Sequence, residues 1–379
     1  WIYRAIELAE LALVILAYSI MVIILIGLIA AGKGGAGFGG WYEQFASIGR
    51  LRWDLILAGK TGEEAAAARS EFLLDYLGGL AYAGAGGYIN LSESVWVREK
   101  GYGMAAWHGR IKNPIFILWG REKPEEIPDF GIIAKPEKVN LARWKAWWYV
   151  TSLEHFIMFA CTLIAGAFIM SGIARAYAAG TEKGAIDMWL LDVLPKMGAD
   201  MGNWVQYGFG VMEWAILFTT QLAIVDVFVR NSTDIVFDMI GKRRGWRIDW
   251  IYFWLLTIFV AWGIGIILAQ VKKPWILLVI GANIAGIMMW PYSLTTIIAN
   301  TKMLPKYYQP GWLKILGMWW ATGFYGYFSV LVIIDNIEKN ILGHELGAVG
   351  RGVLWAIYII SLIVMIVLST YYHMKKMKT

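Results

Sequence analysis

From Leu11 to Gly32 the chain carries no charged residue, and runs of the same kind recur along its length. Such a run has few structures open to it. The hydrocarbon of a bilayer is about 30 Å thick and takes about 20 helical residues to cross. Inside it, each backbone N–H and C=O must be satisfied within the protein, which leaves the helix as the solution for an isolated run. Composition agrees. Of 379 residues, 59% are hydrophobic and 16% charged, against about 45–50% and about 25% in soluble domains. The expectation is an all-α polytopic membrane protein.

Eight transmembrane segments are expected, at residues 10–31, 72–97, 150–174, 205–229, 250–270, 274–299, 312–335 and 353–372, all within a single membrane domain. A Gly-rich loop, 32–70, follows the first, and a loop rich in proline and basic residues, 98–148, follows the second. Lys and Arg concentrate in alternate connections: Arg98 to Lys145, Arg230 to Arg247, and Lys375 to Lys378 at the end. Basic loops stay on the cytoplasmic side. The pattern therefore puts both chain ends in the cytoplasm, loop 32–70 outside, and the protein in the plasma membrane. The 22 Trp and 19 Tyr suit the headgroup level of the lipid bilayer, where amphipathic rings settle.

Several chemistries drop out. Cys161 is the one cysteine, so an intramolecular disulfide and a thiolate metal centre are excluded. The four histidines, at 108, 155, 344 and 373, are scattered and suggest no haem or zinc ligand set. There is no nucleotide loop or nucleic-acid motif, and no paired carboxylates or Ser-Lys dyad of an intramembrane enzyme. The chain is expected to be neither an enzyme nor a holder of a covalent cofactor.

The second segment departs from the rest. Its apolar entry runs into Gly84, Ala85, Gly86 and Gly87, then Asn90, Ser92, Glu93 and Ser94. Glycines permit unwinding and close backbone approach, and a helix broken at mid-membrane is how many secondary transporters free backbone groups to bind substrate or ions. Small residues also pack membrane helices together, and both readings stand for the glycines. Asn90 and Glu93 incline the segment toward an ion or substrate site, with Asn90 as the first candidate metal ligand.

Other polar residues fall at membrane depth. Asp226 and Arg230 lie one turn apart and can pair on one helix face; a neutralised pair is preferred to a coupling site. Thr219 and Thr220 either bind a coupling cation or bond their own helix. Glu154 and His155 are either a proton relay or solvated interfacial residues. Asn283 interrupts an apolar run eight residues before Pro291, which frees a carbonyl.

With these residues in view, the chain resembles a divergent branch of the Nramp-related divalent metal transporters, over that family's helices five to twelve. YRAIELAELALVILAYSI is similar to helix five, LAYAGAGGYINLSESVWVREKGYGM to broken helix six, FTTQLAIVDVFVRNSTDIV to helix eight and LLVIGANIAGIMMWPYSLTTIIANTKMLPK to helix ten. The resemblance implies the rear part of a LeuT-like inverted-repeat fold, with the ion site at the break. The family's Met-Pro-His ahead of the asparagine is Gly87, Tyr88 and Ile89 here, and its usual glutamine on helix ten is Asn283. Without that thioether and histidine, the remaining carbonyls and amides suit Mg²⁺ or Mn²⁺ better than a thiophilic metal. The family's Asp-Pro-Gly-Asn helix is not in this chain, which starts at Trp1. An upstream segment or another chain is expected to supply four front helices.

Two functions follow. One is a secondary transporter moving a hard cation by alternating access. The other is a non-transporting integral-membrane scaffold that anchors a larger complex.

Overall fold

The computed structural model describes residues 2–39, 63–83, 87, 90, 92–107, 111–112, 116–117, 119–123, 133–178, 189–269, 274–337 and 347–375. Among them the regular structure is helical, with no strand. In chain order the helices are α1 (Ile2–Ala30), α2 (Gly34–Phe38), α3 (Glu63–Ala83), α4 (Ser92–Lys100), α5 (Lys138–Ala178), α6 (Leu194–Met201), α7 (Trp204–Arg244), α8 (Ile248–Leu268), α9 (Pro274–Met303), α10 (Trp312–Val332) and α11 (Ala348–Met374). Single π-helical turns sit within α5 at Phe156–Cys161 and α7 at Phe237–Gly241, and follow α10 at Ile333–Ile337.

Among the described residues, seven helices are long and apolar enough to cross a membrane: α1, α5, α7, α8, α9, α10 and α11. The expected segment at 72–97 differs in kind. The apolar part of α3, Phe72–Ala81, is too short to cross about 30 Å at about 1.5 Å per residue, and α4 resumes at Ser92.

Two helices start earlier than hydropathy places them. α3 begins at Glu63 and α5 at Lys138: residues 63–70 are helical, as the Thr61-Gly62-Glu63-Glu64 start and the alanines after it suggest within the outer loop, and 138–148, expected in a loop, are helical too. Their opening turns carry charge (Glu63 and Glu64; Lys138, Arg143 and Lys145), and a hydropathy window passes over charged turns. Pro136 stands just ahead of α5, where its missing N–H costs nothing. Residues 40–62 and 124–132, within the two expected loops, lie outside the described residues.

The chain divides into two compact units. One comprises residues 1–51, 98–133 and 142–257, the other 52–97, 134–141 and 258–379. In the first, α1 buries Ala17, Met21, Ile24 and Leu28. These lie three or four apart and form one stripe. The stripe packs with Val205, Phe209, Met212 and Ala215 of α7, Ile173 and Tyr177 of α5, and Met197 of α6. Ile15, Val22, Ile26 and Ile29, elsewhere on α1, stay exposed, as lipid-facing side chains do. Where lipid is the solvent, close packing rather than escape from water holds helices together. The α2–α5 contact illustrates it: a Cβ on Gly37 would lie 2.6 Å from the Gly172 carbonyl oxygen.

In the second unit, α9 packs against α3, α10 and α11. Trp290, Val330 and Ile334 form one buried cluster, and Ile297, Ile315 and Met365 another. Indole N–H groups find serine hydroxyls across the bundle, Trp290 to Ser361 at 2.9 Å and Trp319 to Ser369 at 3.0 Å. Each such bond in a membrane contributes roughly 0.6 kcal/mol, so their value lies in register as much as in energy. Gln309 closes the end of α9 by donating to the carbonyls of Thr301 (2.6 Å) and Leu304 (3.0 Å).

Candidate functional site

The break between α3 and α4 belongs to the second unit. Gly84 and Gly86 lie outside the described residues. Gly87 adopts φ +70°, a backbone region that side chains disfavour. It also presses on α9: a Cβ there would meet the Ala285 carbonyl oxygen at 2.7 Å. Conformation and space both demand glycine at this position. The Gly87 N–H donates to the Met289 sulfur at 2.8 Å, and the Asn90 side-chain N–H donates to the same sulfur at 2.8 Å. The Tyr292 hydroxyl donates to the Asn90 carbonyl at 3.3 Å. Three residues of α9, each about one turn from the next, thus line the break.

Met289 changes the chemistry read from the sequence. The thioether absent from the broken segment itself is supplied by α9. Methionine in an apolar run reads as core packing. Only the register of α9 against the break gives it a site.

Asn283 is buried one or two turns further along α9. It donates to the Leu74 carbonyl at 3.0 Å and the Val279 carbonyl at 2.8 Å, bracing α3 against α9. Its Oδ1 is buried with no hydrogen-bond partner. Glu93 is exposed in the first turn of α4, where the helix dipole favours a carboxylate.

A second set of polar residues lies in the first unit. The Arg230 Nε–H points between the two oxygens of Asp226, 2.8 Å from each, and the Tyr252 hydroxyl donates to Asp226 at 3.4 Å. Arg230 Nη1 lies 3.4 Å from Glu99 Oε1. Arg98 stands 3.7 Å from the same oxygen and pairs with Asp234 at 2.9 Å. Asp226, Arg230 and Glu99 are 6%, 3% and 5% exposed. Charges that deep persist only when paired, and two guanidinium groups here face three carboxylates. Burial pushes the Glu99 carboxyl up from its ordinary range, against the pull of Arg230, Arg98 and a hydrogen bond from Ile111. Sequence reasoning reached the Asp226–Arg230 pair from its spacing. It missed Glu99, which α4 carries past the expected segment end, and also Asp234 and Tyr252.

The remaining expected residues are placed plainly. Thr219 bonds the Ala215 and Ile216 carbonyls at 2.9 Å, and Thr220 the Ile216 carbonyl at 2.8 Å; both hydroxyls are spent on their own helix. Glu154 accepts from Lys100 and, at 2.9 Å, from the Tyr102 hydroxyl. His155 stacks on Phe159 at 5.0 Å. Among the described residues no group of three or more His, Cys, Asp and Glu is arranged to hold a metal.

No family model, curated protein or solved structure matches the chain. The helices define the class: this is a polytopic α-helical integral membrane protein.

Proposed function

We propose that the protein is a secondary transporter that moves a divalent cation by alternating access, with the cargo bound at the break between α3 and α4. The observation that carries this reading is Gly87, held at φ +70° against α9 with Asn90 and the Met289 sulfur gathered at the same point. Interrupted helices place free backbone groups at mid-membrane. Carbonyls and an amide suit Mg²⁺ and Mn²⁺ alike, and a thioether favours the softer Mn²⁺ of the two. The basic loops support cytoplasmic chain ends in a plasma membrane.

The test is uptake of Mn²⁺ and Mg²⁺ by proteoliposomes carrying the purified protein with whatever co-purifies. Asn90→Ala is expected to abolish uptake while the protein stays folded, and Met289→Leu to weaken Mn²⁺ uptake more than Mg²⁺ uptake. Uptake unchanged in Asn90→Ala would overturn the site.

One observation favours the scaffold reading instead. The N–H groups of Gly87 and Asn90 are taken by Met289, and the Asn283 amide by Leu74 and Val279. A knot whose N–H donors are satisfied within it holds helices together without a ligand. Absence of cation-dependent flux in the wild-type protein and its partners would support that reading.

A further inference from the structure

Glu10 lies in the stretch of α1 that is apolar enough to cross a membrane, which starts at Glu7. Its Oε1 is buried and has no hydrogen-bond partner. The charges that bear on it are Asp226 of α7 and Glu7 of α1, both acidic.

Among the described side chains, the cations of this region are committed elsewhere. Arg230 holds both oxygens of Asp226 and approaches Glu99. Arg98 holds Asp234. Lys100 sits at Glu7, 3.3 Å away, and at Glu154.

α5 runs parallel to α1, with Tyr18 bonded to the Thr162 carbonyl and Lys33 over Tyr177. The level of Glu10 on α5 therefore falls at Glu154 and exposed His155. α2 and α6 also pack against α1, toward its far end: α2 is GGAGF and carries no titratable side chain, and Asp200 of α6 pairs with Lys33. The two-arginine, three-carboxylate cluster is already a net anion before Glu10 is counted.

A buried carboxylate oxygen with no donor, beside like charges, is expensive to keep ionised. An ionisable residue in a membrane helix is a functional site by default. Two ways out exist: a cation moves in, or the group takes a proton. No group of acidic and histidine ligands stands ready for a metal among the described residues. We infer that Glu10 is a proton-binding site, a carboxylic acid that exchanges its proton. The inference rests on the first unit and is independent of the cation reading of the break.

A hydrophobic carbodiimide tests it on the wild-type protein. Such reagents attack carboxylic acids rather than carboxylates: the acid proton passes to a carbodiimide nitrogen, and the carboxyl oxygen bonds to its central carbon. The O-acylisourea then rearranges to a stable N-acylurea adduct, which peptide mapping locates. Labelling is expected at Glu10. It should fall about tenfold per pH unit once the pH exceeds the site's midpoint, and vanish in Glu10→Gln. Absence of label at Glu10 across about pH 5 to about pH 9, or a labelling rate there that ignores pH, would overturn the proposal. Neither result needs a variant that folds, and neither involves transport.

Discussion

Arg230 points its Nε–H between both carboxylate oxygens of Asp226, one helical turn away, at 2.8 Å from each. The pair is nearly sealed from its surroundings, so its two members are unequal to its neighbours in what their loss costs. Removing one partner of a buried pair leaves an uncompensated charge and costs about 3–5 kcal/mol. Asp226→Asn should lose that much, because the remaining contact of Arg230 with Glu99 is 3.4 Å long and Nη1 has no hydrogen bond. Glu99→Gln should cost about 1 kcal/mol or less, since each arginine keeps one carboxylate. Unfolding in mild detergent, followed by thermal or denaturant titration, measures both. Equal losses would show that the cluster acts as a unit and not as a pair with an appended carboxylate.

Gly87 makes a second comparison possible. Alanine there meets two obstacles, a positive φ and the Ala285 carbonyl at 2.7 Å. A strained left-handed residue costs about 1–3 kcal/mol and overpacking about as much again, so Gly87→Ala should lose about 2–6 kcal/mol. Gly79, in helical α3 with nothing within 4 Å of its Cβ position, is the control. Alanine there should be neutral or gain about 0.5–1 kcal/mol. The two variants are compared by thermal unfolding in the same detergent. Tolerance of Gly87→Ala would mean that the break relaxes freely.

The membrane-spanning helices were legible because long apolar runs leave one structural solution in lipid. What hydropathy could not show were the charged openings of α3 and α5. The turn at Lys138 is helical by context and not by apolar content, with Pro136 the one local signal that a helix begins there. The sequence singled out the segment of the break by a cluster of glycines followed by Asn90 within one expected span. The other wall of the break was not legible. Met289 and Tyr292 look like ordinary members of an apolar helix, and only the register of α9 against Gly87 gives them a role. The same holds for Glu10: a glutamate at the edge of a span is ordinary until its neighbours prove acidic.

The indole of Trp290, 8% exposed, donates to the Ser361 hydroxyl at 2.9 Å, and that hydroxyl donates to the Tyr358 carbonyl at 2.7 Å. Ser361→Ala orphans a buried donor, which costs about 1–3 kcal/mol. In a membrane, where the unfolded helices also find partners, the low end is expected. Trp290→Phe removes the donor. Once it is gone, the serine loss should cost less, so the double variant should be more stable than the two single losses summed. Additive losses in that thermodynamic cycle would show that the bond contributes nothing to holding α9 and α11 in register.

Glu99 gives the protein a pH signature of definite sign. Burial pushes its carboxyl above the ordinary 4.5, outweighing Arg230, Arg98 and the Ile111 hydrogen bond. The folded protein therefore holds this proton more tightly than the unfolded chain does. Such a group contributes stability that is fully present below the unfolded value and is lost as pH rises through the folded one. Glutamine at 99 does not titrate. The stability of Glu99→Gln relative to wild type should thus rise as pH climbs from about 4.5 toward neutrality, then level off once Glu99 is ionised in both states. The measurement is the difference in unfolding temperature between the two proteins across that range. A flat difference would mean that the two arginines cancel the cost of burial, and that Glu99 is as comfortable ionised in the fold as in the unfolded chain.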